Sequence, residues 1–141
     1  MDWLKELIDY GVIGVLLLLS VWAVAIVLER LSFYRGLKLT DYASLPALEV
    51  ALTRRLTVIG TIAANAPYIG LLGTVLGIML TFYTLGSTGT VDLKAIMIGL
   101  SLSLKSTAMG LVVAIPCVAM NNALRRRVTE LMTEYGEKHG R

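Results

Sequence analysis

The sequence predicts an all-α integral membrane protein, with three transmembrane helices forming one membrane domain over residues 1–141. Two observations predict it. Hydrophobic residues make up 56 % of the chain and charged residues 16 %, whereas a soluble domain carries about a quarter charged residues. The charges are also gathered between three apolar runs, each long enough to cross a bilayer. The net charge of +3 is too small to point to nucleic acid as a partner, and the single cysteine excludes an internal disulfide and indicates no metal site.

The first run spans residues 10–28 and carries no charge. At 1.5 Å per residue it matches a hydrocarbon core of about 30 Å. Ala23-Val24-Ala25 mimics a signal-peptide cleavage site, but Asp2, Glu6 and Asp9 outnumber Lys5 ahead of the run, and a signal's leading segment is positive. The run is read as an uncleaved anchor. A polar loop over residues 29–56 follows, with Glu29, Arg30, Arg35, Lys38, Pro46, Arg54 and Arg55. The second run spans residues 57–85 and is long enough to tilt or protrude. A turn over residues 86–94 leads to the third run, residues 95–119, and a tail over residues 120–141 opens with Arg125-Arg126-Arg127. Lysine and arginine are concentrated in the first loop and the tail, so both are expected to be cytoplasmic, with the N-terminus and the short turn outside. Leu124, Val128, Leu131 and Tyr135 form one apolar stripe at helical spacing. The third helix is therefore expected to continue into the cytoplasm, where this stripe either packs against a neighbouring subunit or lies solvated at the membrane surface.

The second and third runs share a pattern. Ala63, Ala66, Gly70, Gly73, Thr74, Gly77, Thr81 and Thr84 fall in one sector of the second helix. Gly99, Ser103, Ser106, Thr107, Gly110, Ala114, Cys117 and Asn121 do so on the third. Small residues let backbones approach, and in lipid that van der Waals contact drives helix association. The two faces either meet within one subunit or line an assembly surface or polar passage. Pro67 and Pro116 lie inside these runs, each freeing a carbonyl, as a packing kink or a hinge. Lys105 is the one charge in the third run, about 15 Å from its start and about 140° from Gly110 on the helical wheel. An intramembrane lysine calls for water, deprotonation or an acid. With no Asp or Glu inside any of the three runs, that acid is expected from another polypeptide.

No catalytic triad, metalloprotease motif or phosphate-binding glycine loop occurs, so an enzyme is not predicted. His139 has no companions that would make it a ligand, and no cofactor is expected.

The segment Ala66-Pro-Tyr-Ile-Gly-Leu-Leu-Gly-Thr-Val-Leu-Gly-Ile-Met79 resembles the second-helix signature of the ExbB/TolQ proton-channel family, which is more distantly related to MotA. Thr107-Ala-Met-Gly-Leu-Val-Val-Ala-Ile-Pro116 is similar to its third-helix signature. Both occur in the family's order, and three spans resemble ExbB or TolQ rather than MotA. The resemblance implies a homo-oligomeric ring, expected to be pentameric, in the bacterial inner membrane. The ring would surround a single-span ExbD-like protein that supplies the proton-carrying acid, and proton flow would energise a TonB-like protein. The family's polar threonines correspond to Thr74 and Thr107, on a helix pair packed through Gly70, Gly73, Gly77 and Gly110. Two departures stand out. A glutamate common in the family is replaced by Leu102, with Lys105 one turn later, and the first loop is short, as in a compact ExbB. A Tol-type motor and a non-conducting scaffold for a partner helix are the alternative readings.

Overall fold

The structure, a computed structural model, describes residues 2–89 and 92–139. Thr90 and Val91 of the predicted turn, the His139 side chain and the last two residues of the tail lie outside the described residues. The described chain is helical: α1 (Asp2–Arg35), a 3₁₀ turn (Leu39–Asp41), α2 (Leu45–Thr53), α3 (Leu56–Thr88) and α4 (Leu93–His139). Three of these, α1, α3 and α4, are long and apolar enough to cross a membrane. At 47 residues α4 is about 70 Å long, more than twice the hydrocarbon thickness. Pro67 and Pro116 lie within α3 and α4, which run through them as continuous helices.

Local chemistry sets the boundaries. The α3 helix stops at Gly89, whose φ of 71° suits a residue without a Cβ, and its N–H closes onto the Leu85 carbonyl. Ser44 caps α2 by accepting a hydrogen bond from the Ala47 N–H at 3.3 Å, and Pro46 occupies the first turn, where no N–H is needed. Between α2 and α3 the chain reverses through Arg54 and Arg55, and Arg55 adopts a left-handed φ of 68°. The loop expected over residues 29–56 is thus largely helical, because Pro46 and Ser44 start a helix that the charge count alone conceals.

Helices α3 and α4 form an antiparallel hairpin, and α1 lies along its groove, parallel to α4. Two sets of contacts fix this register. A Cβ on Gly73 would lie 2.8 Å from the Ser106 hydroxyl and 3.0 Å from Val12 Cγ2. Nearer the hairpin turn, Lys5 shares a cleft with Leu80, Thr81, Ile98 and Gly99. Leu16 and Ala23 of α1 are buried against Ile62, Ala63, Ala66, Val113, Ala114 and Cys117. The opposite side of α1 remains exposed at Leu18, Val21 and Leu28, a surface suited to lipid.

The tail stripe ends in neither of its expected places. Leu124, Val128, Leu131 and Tyr135 are buried within the chain's own second core, with Ile26, Tyr34, Leu39, Leu48, Leu52, Leu56 and Ile59. The reason is α2, which folds the apolar residues of the first loop onto the stripe. Arg30 completes this lobe. Its side chain is 3 % exposed, it pairs with Glu29, and it donates to the Ala51 carbonyl at 2.8 Å. The Tyr34 hydroxyl donates to the Leu52 carbonyl at 2.6 Å. The terminal carbonyls of α2, which lack intrahelical donors, are thereby satisfied by α1 side chains. The Tyr135 hydroxyl ties α4 to the loop by donating to the Tyr42 carbonyl at 3.0 Å.

Candidate functional site

The small faces of α3 and α4 meet each other within one chain. At their closest point Gly70 and Gly110 are in backbone contact: a Cβ on Gly110 would lie 2.6 Å from the Ala66 carbonyl oxygen and 3.1 Å from Gly70 Cα. A Cβ on Gly70 would collide with the Ser106 carbonyl oxygen. Further along, a Cβ on Gly77 would stand 2.5 Å from the Ser103 hydroxyl, and one on Gly99 would meet Thr81. Ser103 and Ser106 are buried in this seam. The seam is therefore closed by packing, and no polar passage runs between these two helices of one subunit at this level. Of the two arrangements open to the small faces, the described chain adopts the intramolecular one.

Thr74 and Thr107 are brought together at the edge of the seam, with their hydroxyl oxygens 2.5 Å apart. Thr74 Oγ1 also stands 2.8 Å from the Ser103 carbonyl oxygen and 3.4 Å from that of Gly70. A hydroxyl has one proton to give. With the Thr74 proton on Ser103 O, the pair must be joined by the Thr107 proton, so the bonds run Thr107 to Thr74 to Ser103 O. Thr74 is 5 % exposed, whereas Thr107 is half-buried, so Thr107 presents the accessible end of this line. Its lone pairs can accept a hydrogen bond from a group outside the chain.

Lys105 lies on the far side of α4 from the seam, exposed and apart from the threonine pair. Asp9 precedes the apolar run of α1 and is half-buried, and among the described residues no carboxylate forms an ion pair with Lys105. Sequence reasoning passed over Arg30 as a mere membrane boundary. Its spacing from Ile26, Val27 and Tyr34, at three or four residues, places it on the buried face and was the available signal. Pro116 is exposed and Pro67 half-buried, and Cys117 of α4 is buried in the core shared with α1 and α3. No cluster of potential metal ligands occurs among the described residues.

A long, apolar three-helix chain with a hydroxyl pair on a glycine seam is an architecture suited to the membrane interior. Residues 36–137 match the sequence profile described as the MotA/TolQ/ExbB proton channel family, and the chain belongs to this family. It is similar along almost its whole length to an ExbB-like biopolymer transport protein of Helicobacter pylori, with 53 % identity over 96 % of this chain and 91 % of that one. It is also similar to the biopolymer transport protein ExbB of Aquifex aeolicus, with 51 % identity over 99 % and 95 % of the two chains. Similarity to the Tol-Pal system protein TolQ of Haemophilus influenzae is 40 % over 61 % of this chain, and covers 38 % of that longer protein.

Proposed function

We propose that the chain is the ring subunit of a proton-motive-force-driven motor in the bacterial inner membrane. Five copies surround a single-span, ExbD-like protein, and the motor energises a TonB-like protein for uptake across the outer membrane. The N-terminus is periplasmic and the C-terminus cytoplasmic, as the placement of lysine and arginine favours. The observation that carries this reading is the hydroxyl line from Thr107 to Thr74, which ends on a main-chain carbonyl. Such a line can accept a hydrogen bond from a protonated carboxyl and hold that acid at the subunit surface. It cannot itself carry charge, so the acid belongs to the partner. Since the seam behind the threonines is packed shut, protons travel along the surface that Thr107 faces, in the space between ring and partner. End-to-end similarity to relatives named ExbB or ExbB-like supports the TonB branch.

The test replaces Thr74 or Thr107 with Val in cells that also make the partner proteins. Losing one hydrogen bond in a helix pair costs about 1 kcal/mol, so the ring is expected to assemble as before. Energised uptake is expected to fall roughly a hundredfold, the scale on which positioned proton-transfer groups act. Normal uptake by both variants would remove the hydroxyls from the pathway. Assembly with a partner but no proton flux in the unsubstituted complex would favour the scaffold reading.

A further inference from the structure

Gly70 and Gly110 touch backbone to backbone, so they stand at one depth and index α3 against α4. Arg55 and Arg125 each lie fifteen residues from that contact, toward the charged lobe. Both helices therefore reach the same boundary after about 22 Å of rise. Counting outward from the contact matches residues of α3 and α4 by depth.

Asn65 stands out on this scale. It is ten residues from Arg55, about 15 Å in, near the middle of a hydrocarbon core of about 30 Å. Its side chain is exposed, about 140° round α3 from Gly70. Among the described residues its amide makes one hydrogen bond, Nδ2 donating to the Thr61 carbonyl of its own helix at 2.8 Å. That leaves an N–H and a carbonyl oxygen for which lipid tails offer no partner. Thr57 and Thr61, on the same flank, are exposed as well. Thr74 is nine residues from Asn65, half a turn round α3, so a partner helix seated at the threonine line does not reach this flank.

The far flank of α4 carries the complement. Pro116 has no N–H, so the Val112 carbonyl lacks its helical donor although α4 runs on through the proline. Val112 is exposed, about 160° from Gly110. It lies two residues from the glycine contact and Asn65 five, toward the same boundary, a difference in rise of about 4.5 Å. The carbonyl points toward that boundary and closes part of the gap. Thr61 and Ala119 match fully: each is nine residues from the contact, half a turn from the seam, and exposed. Thr57 and Asn122, also exposed, differ by one residue in depth.

We infer that the Thr57–Thr61–Asn65 flank of α3 receives the Val112–Ala119–Asn122 flank of α4 from a second copy, the Asn65 amide donating to the carbonyl that Pro116 leaves free. Two unlike faces of one chain repeat head to tail and close into a ring. An axis along the membrane normal keeps copies at equal depth, as the matched levels require. Ala119 opposite Thr61 lets the two backbones approach. The inference rests on the ring reading above and adds which faces meet.

Two experiments on the full chain, in cells that also make the partner proteins, test it. In the first, Thr61→Cys and Ala119→Cys are combined in a Cys117→Ala background and oxidised in native membranes. A ladder of interchain species up to the ring is expected, whereas co-expressed chains carrying one cysteine each stop at the dimer. A dimer from Thr61→Cys chains alone would show a two-fold contact and overturn the surface. The mass of the detergent-extracted complex separates two failures. An intact oligomer without the cross-link overturns this surface alone, and a monomer overturns the ring reading with it. In the second, dissociation of the extracted oligomer is followed on dilution. Asn65→Leu is expected to raise the midpoint concentration about fivefold, the scale of one hydrogen bond. Pro116→Ala returns an N–H to the Val112 carbonyl, so it is expected to weaken assembly similarly while each subunit melts no lower. The double variant is expected to dissociate no more readily than either single one. Unchanged dissociation in both single variants would overturn the amide-to-carbonyl bond.

Discussion

At the scale of single residues, the seam between α3 and α4 divides the glycines sharply. An added Cβ at Gly110 would lie 2.6 Å from the Ala66 carbonyl oxygen, and helical backbone cannot swing aside as a side-chain tip can. Gly110→Ala is therefore expected to push the helices apart, costing about 1–3 kcal/mol and lowering the melting temperature of the extracted protein. At Gly86 nothing lies within 4 Å of an added Cβ. Gly86→Ala, in the last turns of α3, is expected to be neutral or to stabilise by up to about 1 kcal/mol through helix propensity. Equal melting behaviour of the two variants would contradict the closed seam. Sequence periodicity marked Gly70, Gly77 and Gly110 as a packing face but left their partner open. The sector of a helix that is small can be read from spacing, whereas the helix that fills it depends on tertiary register.

At the scale of elements, the three spanning helices were legible because hydropathy and length report them directly, and the lobe at their charged end was not. Its core joins residues 26 to 135, drawn from α1, the 3₁₀ turn, α2, α3 and α4, so no local window contains it. Only half of its signal, the apolar stripe of α4, is periodic enough to read. Since that stripe is covered by the chain itself, Leu131→Asp is expected to unfold the lobe while the membrane helices persist. Burying an unpaired carboxylate in place of a core leucine costs about 3–5 kcal/mol, and Leu131 is 5 % exposed. Limited proteolysis should then cleave between Leu39 and Arg55, a region expected to resist in the parent. Resistance unchanged in the variant would mean that the stripe serves assembly rather than this core.

At the scale of the whole molecule, the proposed motor makes the chain one wall rather than a channel. Its closed seam, its lipid-suited α1 surface and its accessible Thr107 lie on different sides of one three-helix unit. Proton movement is therefore expected to require both the ring and its partner. Liposomes containing this chain alone, with a pH-sensitive dye inside and a potassium diffusion potential applied, should hold their gradient as empty liposomes do. Co-reconstitution with the partner should introduce flux that Thr107→Val removes. Flux through the chain alone would place the pathway inside the subunit, against the packing of Gly70 on Gly110.

That backbone contact would have a consequence for the living cell if the chain works in the proposed motor. A copy made before its partners, or in excess of them, would sit in an energised membrane, and a loosely packed version would discharge it. With Gly70 and Gly110 in contact within each copy, surplus copies are expected to be inert, so that synthesis of the parts would not need to be matched in time or number.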